Sequence, residues 1–154
     1  MKLAEALANR ADLRRRVEQM RGRLQKCALV QEGESPPEDP LELLEETERI
    51  VSELEGYMRR INRTNLAATL ADGETTLTDA LARRDALALR YGTFKTLVST
   101  ASDRLPRYGQ AEIRTLPAVE VAPLRRSMDE LARERRELDT AIQRANWATD
   151  LVEG

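Results

Sequence analysis

Amide and carboxylate side chains collect near two predicted helix ends. Asn62 and Asn65 are three residues apart near one end, and four polar side chains follow steps of 4, 3 and 4 residues near the other. Side chains with these spacings share one face of a helix. If the two ends are adjacent, the polar groups converge where a small polar ligand or a hard cation would bind. The candidate cluster comprises Arg60, Asn62, Arg63, Asn65, Asp139, Gln143, Asn146, Trp147 and Asp150.

The same cluster also suits a structural role, which we favour. Amides donate and accept hydrogen bonds without carrying a charge, so they can fix the register of neighbouring helices. Asp139 and Asp150 are eleven residues apart, which is about three helical turns and too far for shared metal ligation. We predict no metal and no cofactor, and a small-ligand site at Asn62, Arg63 and Asn146 stays an alternative.

The composition removes many enzyme classes. The chain has no histidine, which excludes Ser-His-Asp and Cys-His nucleophilic sites, HExxH metal sites and imidazole general bases. Charged residues make up 34% of the chain and aromatic residues 3%, a profile typical of long, solvent-lined helices rather than of a sandwich or barrel. We therefore predict a mostly α protein that is not an enzyme.

Charge is unevenly distributed along the chain. Residues 1–30 carry a net charge of +5 and residues 31–60 a net charge of −7. The favoured interpretation is that the first two helices pair with each other. The alternative is a nucleic-acid-binding accessory module, in which the first helix contacts phosphates. The arginines of that candidate face are Arg10, Arg14, Arg15, Arg16, Arg21 and Arg23.

Apolar periodicity predicts four helices, arranged as one antiparallel bundle in a single domain over 1–154. An Asp-Gly pair between short Thr- and Leu-containing arms indicates a β-hairpin between the second and third helices. A short strand between the third and fourth helices would pair with the hairpin edge. The predicted helices span about 2–29, 40–65, 78–102 and 121–151, the hairpin about 66–77 and the strand about 111–116.

The first helix carries an apolar seam of Leu13, Val17, Met20, Leu24 and Cys27, spaced by 4, 3, 4 and 3 residues. This spacing places all five side chains on one helix face. Because Cys27 belongs to the seam, its thiol is predicted to be a buried hydrophobic group rather than a nucleophile.

Start signals mark the second and third helices. Asp39, Pro40 and Glu42 supply an N-cap, a proline at the first helical position and an acid in the first turn. Thr78 followed by Asp79 is predicted to cap the third helix. The seam of the second helix is predicted at Leu44, Thr47, Ile50 or Val51, Leu54, Tyr57 or Met58, and Ile61.

Arg135 interrupts the otherwise apolar line of the fourth helix. A charge at such a position either extends to solvent or meets an acidic partner, including one from another subunit. We therefore predict a subunit interface at Arg135 and a homo-oligomer. The acidic loop at 31–39 is exposed in either case, and its role stays open.

Four segments together resemble the septicolysin-like family of small bacterial, mainly actinobacterial, proteins. They are "RINRTN", the hairpin region with "LTDALARRD", "LPAVEV" and the final "LDTAIQRANWATDL". The resemblance covers essentially the whole chain but implies no activity, cofactor or catalytic residue. Its name implies a thiol-activated pore former, yet the chain lacks an export signal and strand pairs long enough to span a bilayer. We therefore predict that the chain is not a pore-forming cytolysin.

The predicted location is the cytoplasm. No run of eighteen apolar residues is present, the first residues lack an apolar signal core, and the lone cysteine permits no internal disulfide. The leading hypothesis is a cytoplasmic, non-enzymatic helical protein that self-assembles without a membrane partner.

Overall fold

The computed structural model describes residues 1–103 and 115–153. Within those ranges the chain is mostly helical and has four helices, which confirms the predicted class. Every helix boundary lies within three residues of its prediction. The helices are α1 (Leu3–Cys27), α2 (Pro40–Ala67), α3 (Leu77–Ser102) and α4 (Val121–Ala148).

The chain divides into two compact units. Unit 1 holds residues 1–69 and the segment from Gln143 onward, and unit 2 holds residues 70–142. The single domain over 1–154 stays a prediction. Unit 1 contains α1, α2 and the last residues of α4, and unit 2 contains α3 and most of α4.

In unit 1, α1 and α2 form an antiparallel pair. Near the start of α1, the Asn9 side-chain amide donates to the Tyr57 hydroxyl at 3.0 Å. Near its end, Arg23 pairs with Glu38, just ahead of α2. The buried cluster between the two helices contains Leu13, Met20, Cys27, Leu43 and Ile50. The apolar seam predicted for α1 is therefore confirmed, and Cys27 is buried within it.

The seam of α2 differs from the prediction at one position. Leu43 is buried against α1, whereas Leu44 is 47% exposed, so the prediction of Leu44 in the seam was wrong. Leu43, Ile50 and Tyr57 recur every seven residues and therefore share one helix face. Leu44 lies about 100° further around the helix. It faces away from α1 for that reason.

The start signals of α2 are confirmed. The Asp39 carboxylate accepts hydrogen bonds from the backbone N–H groups of Leu41 and Glu42. Pro40 occupies the first helical position, where its missing N–H costs no helical hydrogen bond.

The predicted β-hairpin at 66–77 is absent from the described residues. α2 continues to Ala67 and α3 begins at Leu77, so the helices take up the outer ends of both predicted arms. What remains of the pairing is a hydrogen bond from the Leu70 N–H to the Thr75 carbonyl at 2.8 Å. The Asp-Gly signal instead marks a turn in which the Asp72 carboxylate accepts from the Thr75 hydroxyl at 2.6 Å and from its backbone N–H at 2.9 Å. Gly73 adopts a φ of 74°, as the tight turn requires.

The start of α3 also differs from its prediction. Thr76, not Thr78, is the N-cap, and its hydroxyl oxygen accepts from the Asp79 N–H at 3.1 Å. The Asp79 carboxylate accepts from the Thr76 hydroxyl in return, at 2.8 Å. A Thr followed three residues later by an acid satisfies two groups at once, so it outcompetes the adjacent Thr-Asp pair. The strand predicted at 111–116 begins in 104–114, outside the described residues.

In unit 2, ion pairs connect α3 to α4. Arg83 pairs with Glu134, and Arg84 lies 4.0 Å from the Asp139 carboxylate. The buried side chains of α3 are Leu77, Ala80, Leu87 and Val98.

Candidate functional site

The polar residues near the end of α2 have different environments. The Arg60 guanidinium lies 4.6 Å from the centroid of the Tyr57 ring, a cation–π contact. Asn62 and Arg63 are exposed. Thr64 is 1% exposed, and its hydroxyl donates to the Arg60 carbonyl at 2.8 Å. Thr64, which was not among the candidate residues, is therefore the buried polar group of this region.

Two segments of unit 1 join next to Thr64. The backbone N–H of Leu3 donates to the Thr149 carbonyl, and that of Leu151 donates to the Met1 carbonyl, both at 2.9 Å. Between these two backbone hydrogen bonds, the Lys2 ammonium and the Asp150 carboxylate form a salt bridge of 2.8 Å. We call this pairing of residues 1–3 with 149–152 the clasp.

Thr64 connects the clasp to α2. The Thr64 hydroxyl oxygen accepts a hydrogen bond from the Val152 N–H at 3.0 Å, and the same hydroxyl donates one to the Arg60 carbonyl. The hydrogen bond from Lys2 holds the pKa of the Asp150 carboxyl below its usual value. These contacts join different parts of the same chain, which is expected of a structural network rather than of an open ligand site.

All of the predicted cluster except Asp139 lies in unit 1, where the contact from the Val152 N–H to the Thr64 hydroxyl joins the end of α2 to the residues after α4. Asn146 is buried, whereas Gln143 and Trp147 are exposed in the same unit. Asp139 belongs to unit 2, where Arg84 is its neighbour. The cluster prediction missed the contribution of Lys2, because a contact between residues 2 and 150 has no local sequence signal.

The candidate nucleic-acid face is divided by the structure. Arg15 pairs with Asp12, Arg21 with Glu18, and Arg23 with Glu38. At about 100° per residue, the arginines lie on both sides of the buried seam rather than on one continuous face. Nucleic-acid binding by α1 stays a prediction.

The pair of Arg23 and Glu38 places part of the acidic loop at 31–39 against α1. The side-chain hydrogen bond from Arg23 lowers the pKa of the Glu38 carboxyl and raises that of Arg23 itself. One acid of the loop is therefore paired with α1. The prediction from charge concerned α1 and α2, and no ion pair joins those two helices in the described ranges.

A second apolar line lies along α2 beside the seam. Leu44, Val51 and Met58 are 47%, 39% and 37% exposed, and they recur every seven residues. The exposed Glu48 and Glu55 lie between them, so the five side chains follow steps of 4, 3, 4 and 3. We call this exposed face the α2 stripe. The sequence left Val51 and Met58 as alternatives to Ile50 and Tyr57 for the seam. In the structure Ile50 and Tyr57 pack against α1, and Val51 and Met58 are exposed.

A matching line lies along α4 within unit 2. Leu124, Met128, Leu131 and Leu138 are half-buried, and Arg135 in the same line is exposed. These five residues also follow steps of 4, 3, 4 and 3, and we call them the α4 line.

No helix in the described ranges combines the length and the apolar character that a membrane crossing requires. Within the same ranges, no group of three or more acidic or cysteine side chains has the arrangement of a metal site.

Comparisons with known proteins give a family but no activity. A crystal structure of a functionally unknown conserved protein from Corynebacterium diphtheriae is 39% identical, with a TM-score of 0.91 over 99% of each chain. No curated protein matches the chain. None of these comparisons tests the septicolysin-like resemblance, which stays a prediction. Residues 10–151 match the model of DUF6847, a family of unknown function, and the chain therefore belongs to that family.

Proposed function

We propose that this chain is a non-enzymatic, cytoplasmic helical protein that assembles with copies of itself, and that the α2 stripe is part of the interface. The observation that carries the proposal is the exposure of Leu44, Val51 and Met58 on a helix whose adjacent face is already packed. On this account the septicolysin-like resemblance reflects no pore-forming activity.

Assembly through the α2 stripe is favoured because burying apolar side chains away from water lowers the free energy, by about 25 cal/mol per Å² of buried area. A single exposed apolar residue needs no explanation, but a line of them with helical spacing is the pattern by which one helix packs on another. The α2 stripe has that spacing over two heptads.

Two further observations favour assembly over the alternatives. Asp12, Glu18 and Glu38 already engage three of the six candidate arginines of α1, which weakens their attraction for phosphates. In the polar cluster, Asp150 pairs with Lys2 rather than pointing into an open site, and Thr64, which lies outside the cluster, bonds to the Val152 N–H.

The test is the molar mass in solution, measured by light scattering after size exclusion. We expect the unmodified protein to form a discrete oligomer and Val51→Glu to shift it toward the monomer, because a third carboxylate beside Glu48 and Glu55 cannot be buried in an interface without a partner. The matched control is Leu89→Glu on α3. Leu89 is 74% exposed but lies outside the α2 stripe. A monomeric unmodified protein would contradict the proposal.

A further inference from the structure

We propose that two copies of the chain pair antiparallel through the exposed side of α2, so that Arg59 of each copy meets Glu48 of the other. The inference rests on the proposed self-assembly and names the surface on which the second copy packs. Both copies contribute the same helix, so the pair has two-fold symmetry and closes with two chains.

Charge changes sign along α2. Residues 41–55 contain six acids and one arginine, whereas residues 56–67 contain three arginines and no acid. Two such helices side by side in parallel would place like charges together, which opposes association. In an antiparallel pair, the acidic part of each helix lies beside the basic part of the other. The charge distribution therefore favours a second copy as the partner and sets its direction.

Two sets of exposed residues indicate one register for that pair. Glu48 and Arg59 lie equally far from the midpoint between residues 53 and 54, and so do Leu41 and Leu66. In an antiparallel pair centred on this midpoint, Glu48 of one copy is level with Arg59 of the other, and Leu41 is level with Leu66. Leu41 and Leu66 are 71% and 69% exposed in the single chain. The register therefore forms an ion pair and an apolar contact on each side of the two-fold axis.

The paired residues also lie on the same side of α2. At about 100° per residue, Glu48 and Arg59 differ by about 20° around the helix, as do the two leucines. Glu45 and Arg63 point in the same direction and come within about 1.5 Å of level in this register. A two-fold axis perpendicular to both helices brings such residues together along one edge of the contact. Two acid–base pairs on each side of the axis thus follow from one arrangement.

The same register covers the centre of the α2 stripe. Val51 of one copy lies about 3 Å along the helix axis from Met58 of the other. Glu55 precedes Arg59 of its own chain by four residues, a spacing at which an acid and a base attract each other. The Arg59 guanidinium can therefore bind Glu55 of its own chain and Glu48 of the second copy, as its forked geometry permits.

An antiparallel pair centred on Val51 itself is less favourable. It brings Glu48 of one copy within about 1.5 Å of level with Glu55 of the other, whereas Arg59 is then about 7.5 Å from level with Glu48. Like charges would meet at the centre, and the nearest base would lie more than one helical turn away.

The charged residues of the proposed contact are available to a second copy. All of them are exposed, and none forms an ion pair in the described ranges. They are Glu45, Glu48, Glu55, Arg59 and Arg63.

The test is complementation between two charge-reversal variants. Arg59→Glu places an acid opposite Glu48 of the other copy, and Glu48→Arg places a base opposite Arg59. Each change acts twice because of the two-fold symmetry, so we expect each variant alone to show a single-chain mass by light scattering. In an equimolar mixture, the two substituted residues face each other, and the natural Glu48 faces the natural Arg59. The mixture is expected to recover the two-chain mass of the unmodified protein.

Arg49→Glu is the matched control. It makes the same charge change at an exposed position two residues from Val51, which places it about 160° around α2 from that residue. It is expected to keep the two-chain mass. The double variant Glu48→Arg/Arg59→Glu carries both changes in one chain and should pair with itself again. Far-ultraviolet circular dichroism of every variant checks that the helices are intact.

The outcomes separate this inference from the broader proposal. If the unmodified protein assembles and Arg59→Glu assembles equally well, self-assembly stands and this contact is wrong. If both single variants are monomeric but neither the mixture nor the double variant regains the two-chain mass, the pairing of Glu48 with Arg59 is also wrong. If the unmodified protein is itself a monomer, both proposals fail together.

Discussion

The two apolar faces of α2 have similar residues and the same seven-residue recurrence, yet only one is covered. Leu43, Ile50 and Tyr57 pack toward α1, whereas Leu44, Val51 and Met58 are exposed beside them. Each member of the second set follows a member of the first by one residue, a rotation of about 100°. Spacing therefore identifies apolar faces but does not say which neighbour covers each one. α2 therefore has two apolar faces, although packing against α1 uses only one of them.

The largest contrast between the faces should appear in stability. Ile50→Ala is expected to lower the free energy of unfolding by about 2–5 kcal/mol, because it empties space in a packed core. Val51→Ala, one residue away, is expected to cost less than about 1 kcal/mol in dilute protein, since its side chain is already partly in water. Urea unfolding followed by circular dichroism measures both. Equal losses would show that the two faces are buried alike.

The clasp should show a smaller effect. Thr64→Val keeps the shape of the side chain but removes the hydroxyl that bonds to Arg60 and Val152. Because the partner groups lose a hydrogen bond in a buried position, we expect a loss of about 1–2 kcal/mol in the same urea assay. Hydrogen exchange at the Val152 amide should also become faster.

The matched control for that change is Thr140→Val. Among the described residues, the Thr140 hydroxyl bonds only to the Arg136 carbonyl, on an exposed part of α4. It is expected to change stability by less than about 0.5 kcal/mol. Indistinguishable effects of the two substitutions would remove the special role of Thr64.

The smallest expected effect is a dependence on acid pH. Hydrogen bonds lower the pKa of three carboxyls: Glu38 through Arg23, Asp72 through Thr75, and Asp150 through Lys2. A carboxyl with a lowered pKa in the folded state adds stability above its usual range, and this is lost as the pH falls through the lowered value. Unfolding midpoints should therefore decrease toward acid pH.

Asp72→Asn sharpens the acid prediction, because it removes one of the three groups while keeping an oxygen acceptor in the turn. Its unfolding midpoint should fall less steeply with acid than that of the unmodified protein. Carboxyl chemical shifts, followed by nuclear magnetic resonance, give each pKa directly. Normal pKa values for all three carboxyls would contradict the prediction.

Local signals predicted most of the fold. The cap at Asp39, the proline at the first position of α2 and the apolar spacing of α1 act over a few residues, so the sequence displays them directly. The hairpin prediction failed because Asp-Gly also suits a short turn between helices. The polar cluster could be predicted only as a set of candidates.

The clasp lay beyond sequence reasoning for a different reason. Its contacts join residues 2 and 150, and residues 64 and 152, so no periodicity or spacing reveals them. The exposure of the α2 stripe was equally hidden, because the choice between Ile50 and Val51 depends on where α1 lies. Both the contacts of the clasp and the exposure of the α2 stripe depend on tertiary packing rather than on local sequence propensity.

Self-assembly of this chain is tested most directly by the molar mass of the unmodified protein, measured by light scattering over a concentration series at physiological and at high salt. We expect a discrete oligomer at both salt levels, because association removes the apolar side chains of the α2 stripe from water. A single-chain mass at every concentration and at both salt levels would contradict it.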